Sequence, residues 1–169
     1  SSLAAWFAVV LCPSSLLQVR SRVDVCVMSG GVNSGSMLVS VLIGAPVFRV
    51  AADASLHEVS DALVAAGVGA LVVGDGDGAA GIVSERDIVG ALAERRDPAR
   101  TRASDIANTT LVWCDAEASV AEVAEKMMEC YVRHVLVEDG GRLVGIVSAR
   151  DLLGAYASAD MDSADVDTD

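Results

Sequence analysis

The apolar residues of this chain recur with two different periods between residues 46 and 156. In SLHEVSDALVAAG, at 55 to 67, and in SVAEVAEKMMECY, at 119 to 131, they return every three or four positions and so line one face of a helix. A serine, a typical helix N-cap, opens each stretch. The pattern predicts two amphipathic helices, whose buried stripes contain Leu56, Val59, Leu63 and Ala66 in the first and Val120, Val123, Met127 and Cys130 in the second.

Shorter apolar runs predict strands. VFRVA at 47 to 51 and LVWCD at 111 to 115 precede the two helices. After each helix, two apolar runs flank a glycine-rich turn, DGDG in one case and DGG in the other, which is a strong signal for a β-hairpin. A helical pattern then returns in ERDIVGALAERR and in ARDLLGAYA. The order of elements is therefore β-α-β-β-α, twice, which places the chain in the α/β class.

The two sets of elements are copies of one unit. GIVSERD at 81 to 87 returns as GIVSARD at 145 to 151, and ASLHEV at 54 to 59 returns as ASVAEV at 118 to 123. Both pairs are 64 residues apart (145 − 81 and 118 − 54). A constant offset with two copies indicates a duplicated domain unit rather than an open-ended array.

The composition argues against a nucleic-acid partner. The chain has 169 residues, 53% of them hydrophobic, and a net charge of -12. That charge opposes contact with phosphate backbones, and isolated arginines do not offset it. The last residues, 158 to 169, are rich in aspartate and have little to bury, so we expect a disordered acidic tail there.

The first 36 residues differ in character from the two copies. LAAWFAVVLC at 3 to 12 is apolar but too short to cross a bilayer, which takes about 20 such residues. No basic stretch precedes it, as a secretory signal would require. SGGVNSGS at 29 to 36 has the composition of a flexible linker. We therefore expect residues 1 to 36 to be a leader or extension outside the functional fold, and we expect no membrane contact.

The four cysteines carry no predicted chemistry. They show no CxxC spacing, and with His57 and His134 as the only histidines they suggest neither a metal site nor a disulfide framework. Reduced thiols fit a cytoplasmic protein. Cys114 and Cys130 fall on predicted strand and helix positions, where burial as small apolar side chains is the usual role.

The order of elements, the strand GALVV, and the closing stretches GIVSERDIV and GIVSARDLL together resemble a tandem pair of CBS domains, named after cystathionine β-synthase. The resemblance covers residues 38 to 157 and implies one domain at 37 to 96 and a second at 97 to 157. In that family the two units pack by their sheets around a pseudo-twofold axis into a Bateman module, which commonly forms a homodimer. The implied ligand is AMP, ADP or ATP, with S-adenosylmethionine or NADH as further candidates, bound in clefts between the units.

SERD and SARD admit a structural and a functional interpretation. Ser84 with Asp87, and Ser148 with Asp151, have the spacing of a capping box, which satisfies amides at a helix start. The same helix start suits a phosphate oxygen, and the resemblance implies phosphate and ribose contacts for these four residues. Nearby basic residues and one threonine complete the predicted ligand site: Arg86, Arg150, Arg133, His134 and Thr101.

The two copies predict unequal sites. At the positions of Arg133 and His134, the first copy has Gly69 and Ala70. We therefore expect Arg133 and His134 to act as cations beside the aspartate of their own copy and to build the better site there. The aspartate of the first copy is expected to lack flanking cations.

Three classes of function compete. The leading hypothesis is a non-catalytic sensor, in which an adenosine ligand bridges the copies and shifts the module between two shapes, on behalf of an unidentified regulated protein. The alternative is a structural dimerisation scaffold without a physiological ligand. An enzyme is disfavoured, because the sequence has no nucleophile and base pair, no metal cluster and no P-loop; DGDGAAG lacks the Lys-Ser/Thr ending.

Overall fold

The computed structural model describes residues 26–28, 37–44, 46–76 and 78–164 and confirms the predicted α/β class. A short strand β1 (Cys26–Met28) and a 3-10 helix (Val39–Leu42) come first. The first unit contains β2 (Arg49–Val50), α1 (Leu56–Ala66), β3 (Ala70–Val73), β4 (Gly81–Ser84) and α2 (Glu85–Ala93). After α3 (Ala103–Ile106), the second unit contains β5 (Val112–Asp115), α4 (Val120–Glu129), β6 (His134–Asp139), β7 (Arg142–Ser148) and α5 (Ala149–Ala164).

Helices α1 and α4 begin where the sequence signals indicate. Ser55 caps α1 in a capping box with Glu58, and Ser119 caps α4 in the same way with Glu122. Gly67, in the left-handed conformation with a φ of 65°, follows the last residue of α1. The buried residues come from the predicted stripes: Leu56, Val59 and Leu63 in α1, and Val120, Val123 and Met127 in α4.

Each unit builds its own sheet. In the first, β2 runs parallel to β3, and β3 pairs antiparallel with β4 through the predicted hairpin. In the second, the strand order is β1-β5-β6-β7, with β5 parallel to β6 and β6 antiparallel to β7. All four side chains of β3 are buried, which explains why that strand has a continuous apolar sequence.

Strand β1 lies at the edge of the second sheet and runs parallel to β5, with Cys26 opposite Val112. It falls within residues 1 to 36, which the sequence predicts to lie outside the functional fold. The second sheet therefore reaches into that segment, most of which is outside the described residues. That the segment is dispensable stays a prediction.

Helix α5 extends further than the sequence interpretation allows. It continues to Ala164, into the segment from 158 that was expected to be a disordered tail. Alanines at 157, 159 and 164 favour the helical conformation, and the hydroxyl of Ser158 donates to the carbonyl of Gly154 (3.0 Å) one turn earlier. Residues 165 to 169 of the predicted tail are outside the described part of the chain.

The two sheets pack face to face. Val72 of β3 and Leu136 of β6 are fully buried and join Leu111 in a cluster between the sheets. The offset of 64 relates Val72 to Leu136, so equivalent residues of the two copies meet. Separate clusters lie between each sheet and its helices. This arrangement gives the pair its pseudo-twofold character.

The segment that precedes each unit packs against the other unit. The amide of Val39 donates to the carbonyl of Ala118 (2.8 Å), and, 64 residues later, the amide of Ala103 donates to the carbonyl of Ala54 (2.7 Å). Val39 and Ala103 are fully buried, each in the core of the opposite unit. We call residues 37–44 and 101–108 the exchanged segments. Because of them, neither unit completes its core alone.

Candidate functional site

The repeated stretch forms the starts of α2 and α5 as capping boxes. Asp87 Oδ2 accepts hydrogen bonds from the amide (2.7 Å) and the hydroxyl (2.6 Å) of Ser84. Asp151 Oδ2 accepts the same two bonds from Ser148, at 2.8 and 2.7 Å. Among the described residues neither Oδ1 atom accepts a hydrogen bond. The structural interpretation thus accounts for one oxygen of each aspartate and leaves the other available to a ligand.

A cleft of about 370 Å³ lies at the start of α5. Ser148, Arg150 and Asp151 form one side, and we call it the Asp151 cleft. Its volume falls within the range of about 300 to 1,000 Å³ that is typical of ligand sites. The first unit supplies the opposite side: Val47, Phe48, Gly67, Val68, Gly69 and Ala70.

A second cleft lies at the start of α2 and has a volume of about 140 Å³. We call it the Asp87 cleft; Ser84 and Arg86 also line it. The second unit supplies large side chains, Tyr131, Arg133 and His134, at the positions where the Asp151 cleft has Gly67, Gly69 and Ala70. The two clefts therefore differ in volume, and the larger one lies at Asp151.

The structure groups the site residues across the two units. The sequence interpretation joined Arg133 with Asp151, because both belong to the second copy. Arg133 instead lines the Asp87 cleft, while Gly69 of the first copy lines the Asp151 cleft. Face-to-face packing brings each helix start against the other unit's strands, which is why Arg133 borders the start of α2. A contact between Arg133 and a ligand held at Asp151 stays a prediction. The sequence predicts that Asp87 lacks a flanking cation. In the structure Arg133, from the second copy within the same chain, lines its cleft.

His134 lines both clefts. It is half-buried at the start of β6, and its Nε2 lies 3.4 Å from the position that a Cβ on Gly69 would take. Burial lowers the pKa of His134, and the Arg133 guanidinium lowers it further. Three carboxylates act in the opposite direction without reversing the shift: Asp151, Asp87 and Glu85. At pH 7 the imidazole is mostly neutral, so it offers a hydrogen-bonding group instead of the expected positive charge.

Eight of the nine predicted ligand residues line these two clefts, and Thr101 does not. Thr101 is 8% exposed and lies in an exchanged segment, where its carbonyl accepts a hydrogen bond from the amide of Leu56 (3.1 Å). The equivalent residue of the first copy, Met37, accepts the same bond from Val120 (2.9 Å). This backbone position joins the units in both copies, and a ligand contact by Thr101 stays a prediction.

Sequence reasoning missed several lining residues. Phe48 and Val68 border the Asp151 cleft, and both have apolar partners at the offset of 64, so a position-by-position comparison of the copies could have found them. Asn108 and Thr110 border the Asp87 cleft. They have no polar counterparts in the first copy, and no sequence pattern singles them out.

The described part of the chain gives little support for a reactive cysteine, a metal site or a membrane span. Burial raises the pKa of the Cys114 thiol to about 12, with smaller contributions from two nearby carboxylates, so this cysteine is unreactive. No group of three or more His, Cys, Asp or Glu side chains is placed to hold a metal ion among these residues. None of the helices there is both long and apolar enough to cross a membrane.

The chain belongs to the CBS domain family. The family model matches it twice, over residues 40–94 and 103–158, once for each unit. The two matches fall on the two copies that the offset of 64 defines.

Known proteins resemble the chain both in sequence and in structure. Hypoxic response protein 1 of Mycobacterium tuberculosis is 40% identical over 87 residues, which are 50% of this chain and 61% of that protein. A CBS domain protein of Pyrobaculum aerophilum, solved in complex with AMP, is 32% identical with a TM-score of 0.64 over 72% of this chain and 99% of its own. The CBS domain pair of protein MJ0100, solved with 5'-methylthioadenosine and S-adenosyl-L-methionine, is 25% identical with a TM-score of 0.64 over 71% of this chain and 99% of its own.

Proposed function

We propose that this chain is a non-catalytic regulatory module that binds an adenosine-containing small molecule in the Asp151 cleft. The observation that carries the proposal is the free Oδ1 of Asp151 in a cleft of ligand size. A ribose hydroxyl can donate to that oxygen, and the helix start with Arg150 suits a phosphate. Val47 and Phe48 offer apolar surface to a purine. The Asp87 cleft, being smaller, is the weaker site.

Relatives support the class of ligand. AMP, 5'-methylthioadenosine and S-adenosylmethionine, which were found in two solved relatives, have adenosine in common. The matched pair of units is present in this chain at nearly the full length of those structures. AMP, ADP and ATP are the first candidates for this chain, and S-adenosylmethionine and NADH follow.

A regulatory role follows from the position of the clefts. Each cleft takes its walls from both units, so a bound ligand contacts both. If the ligand binds one relative arrangement of the units more tightly than another, its concentration shifts the population between them. The regulated protein binds one of these arrangements in preference to the other. We expect the module to be cytoplasmic.

A homodimer is part of the proposal. Exposed apolar side chains lie on the helices in pairs 64 residues apart: Val64 and Met128, Val89 and Leu153, and Leu92 and Tyr156. Val64 and Met128 are 83% and 77% exposed. Exposed apolar groups of this kind are typical of interaction surfaces. Their repetition in both units suits an isologous contact with a second copy of the chain.

Light scattering at micromolar concentration tests the dimer. Leu153→Glu should give a monomer, because it places a charge among these apolar side chains. Val41→Glu is the matched control and should remain dimeric, because Val41 is exposed but lies outside α1, α2, α4 and α5, which carry the paired apolar residues. A wild-type chain that is monomeric in this measurement would contradict the dimer.

A thermal-shift screen tests the ligand. The five candidate compounds are added to the full chain, and a ligand at a hundredfold excess over its Kd should raise the apparent free energy of unfolding by about 2.7 kcal/mol. Asp151→Ala should reduce the response, to about 1.4 kcal/mol at the same ligand concentration if the affinity falls tenfold. If a dimeric chain melts at the same temperature with every compound, the proposal fails and the structural scaffold is the better description.

A further inference from the structure

A third cavity, of about 520 Å³, adjoins the Asp151 cleft. The two have six lining residues in common: Gly67, Val68, Gly69, His134, Ser148 and Arg150. They are therefore continuous at the start of α5. The junction lies at the phosphate side of the Asp151 cleft, since Ser148 and Arg150 border both spaces, whereas Val47 and Phe48 border the cleft alone.

The third cavity has a positive lining in a strongly acidic protein. Arg133 joins Arg150 there, and Glu85 is the one acidic residue among the lining residues. With His134 neutral, two guanidinium groups and one carboxylate give a net charge of +1, against -12 for the whole chain. An anion that extends from the Asp151 cleft is thus favoured in this direction.

We propose that the third cavity binds the phosphate chain of a nucleotide whose nucleoside occupies the Asp151 cleft, so that the module selects nucleoside triphosphates over monophosphates. This inference rests on the proposed function. The first phosphate lies at Ser148 and Arg150, and the terminal phosphates reach Arg133, whose planar guanidinium suits phosphate oxygens. Arg133 determines specificity although it does not border the nucleoside cleft.

Glu85 opposes this binding and marks the one difference between SERD and SARD. Its Oε2 lies 3.9 Å from the position that a Cβ on Gly69 would take, so the carboxylate reaches the junction of the two spaces. The second copy has Ala149 at the matching position. A carboxylate here weakens the attraction for a phosphate chain. Substitutions at Arg133 and Glu85 should therefore change triphosphate affinity in opposite directions.

Calorimetric titration of the full chain with AMP and ATP tests the proposal. A chelator is present, because a divalent cation would neutralise the phosphates. The Asp151 site is identified as the binding that Asp151→Ala removes. Wild type should bind ATP at this site at least about tenfold more tightly than AMP, the effect of a hydrogen bond to a charged group. Arg133→Ala should abolish this preference and leave AMP affinity at the Asp151 site unchanged. Glu85→Ala should increase the preference for ATP.

Two variants with the same charge changes serve as controls. Arg142→Ala and Glu117→Ala alter exposed residues that border none of the three cavities. They should leave the ratio of ATP to AMP affinity at the wild-type value. Arg133 and Glu85 are also exposed, so their variants should fold, and melting curves check this.

The possible failures are distinguishable. Equal affinities for AMP and ATP, or a loss of both in Arg133→Ala, would overturn the phosphate-chain proposal and leave the proposed function standing. Binding of S-adenosylmethionine without binding of either nucleotide would do the same. Absence of binding by all five candidate compounds would overturn the proposed function and this inference together.

Discussion

A Cβ atom on Gly145 would lie 2.7 Å from Cγ2 of Ile43. Cβ atoms do not approach other carbons so closely, so the exchanged segment at 37–44 crosses β7 where no side chain stands in its way. The other copy repeats the relationship, since a Cβ on Gly81 would lie 3.0 Å from the Cβ of Ala107. The glycine that opens each GIVS stretch is therefore required by the crossing of an exchanged segment.

Gly145→Ala should lower the free energy of unfolding by about 1 to 3 kcal/mol, the usual effect of overpacking. In Ile43→Ala/Gly145→Ala the clash is absent, so the double variant should be more stable than the sum of the single effects predicts. Urea denaturation of the four proteins measures this coupling, expected at about 0.5 to 3 kcal/mol. Gly90→Ala is the control: nothing lies within 4 Å of a Cβ there, and alanine in that helix should stabilise by up to about 1 kcal/mol. Additive effects of Ile43 and Gly145 would contradict the close contact.

Asp151→Ala should reduce nucleotide affinity at least about tenfold, because a hydrogen bond to a charged group contributes roughly 1.5 to 3 kcal/mol. Asp87→Ala should cost less, because its cleft has about 140 Å³ against about 370 Å³. Both variants also lose a helix cap of about 1 kcal/mol, so melting is measured beside affinity. Glu122→Ala loses a comparable cap away from both clefts and should bind as wild type does. If the folded Asp151→Ala protein binds nucleotide with wild-type affinity, the repeated stretch acts only as a helix cap.

Stability should fall below about pH 6.5 because of His134. Burial, assisted by Arg133, lowers its pKa from the usual 6.5. Between the lowered pKa and 6.5 the folded chain binds fewer protons than the unfolded chain, so the free energy of unfolding decreases as pH falls through this window. Urea denaturation between pH 5.5 and 7.5, a range of about one unit on either side of the histidine pKa, measures the slope. His134→Gln should flatten it, whereas His57→Gln should not, and an unchanged slope in His134→Gln would assign the effect to another group.

Removal of residues 1 to 36 should leave a folded chain that binds ligand, because β5 keeps its pairing with β6. Two truncations isolate the contribution of β1: a chain from 26 retains the strand, and a chain from 37 lacks it. The shorter chain should melt at a lower temperature, since it loses three paired residues at the edge of the sheet. If the chain 37–169 is insoluble or does not bind ligand, the leading segment belongs to the functional fold.

Periodicity and the offset of 64 predict most of the fold. The capped helices, both hairpins and the duplication follow from local signals, each of which depends on neighbouring residues. VFRVA was expected to form a longer strand than the observed Arg49–Val50, because ladder length depends on a partner strand that the local sequence does not specify. The helical run to Ala164 was missed because aspartates masked the alanine pattern.

The candidate site was harder to predict than the fold. The predicted residues at the two helix starts do line the clefts, since a helix start has a local signature: Ser84, Arg86, Asp87, Ser148, Arg150 and Asp151. That they bind a ligand stays a prediction. The sequence does not predict that Arg133 borders the Asp87 cleft, because that contact depends on how two sheets pack and no local pattern records it. Gly67 and Gly69 set the size of the larger cleft, yet an isolated glycine in sequence does not disclose the space that it leaves.

The exchanged segments have a consequence for the divergence of the two copies. A single unit of this design would have to trade its leading segment with an identical chain, and every substitution would then appear twice in the pair. Duplication within one chain removes this constraint, since each structural position exists in two versions that can change separately. Gly69 can keep one cleft open while Arg133, its counterpart, fills the other. A fused pair can therefore hold two different sites on one symmetric frame, which two identical chains cannot.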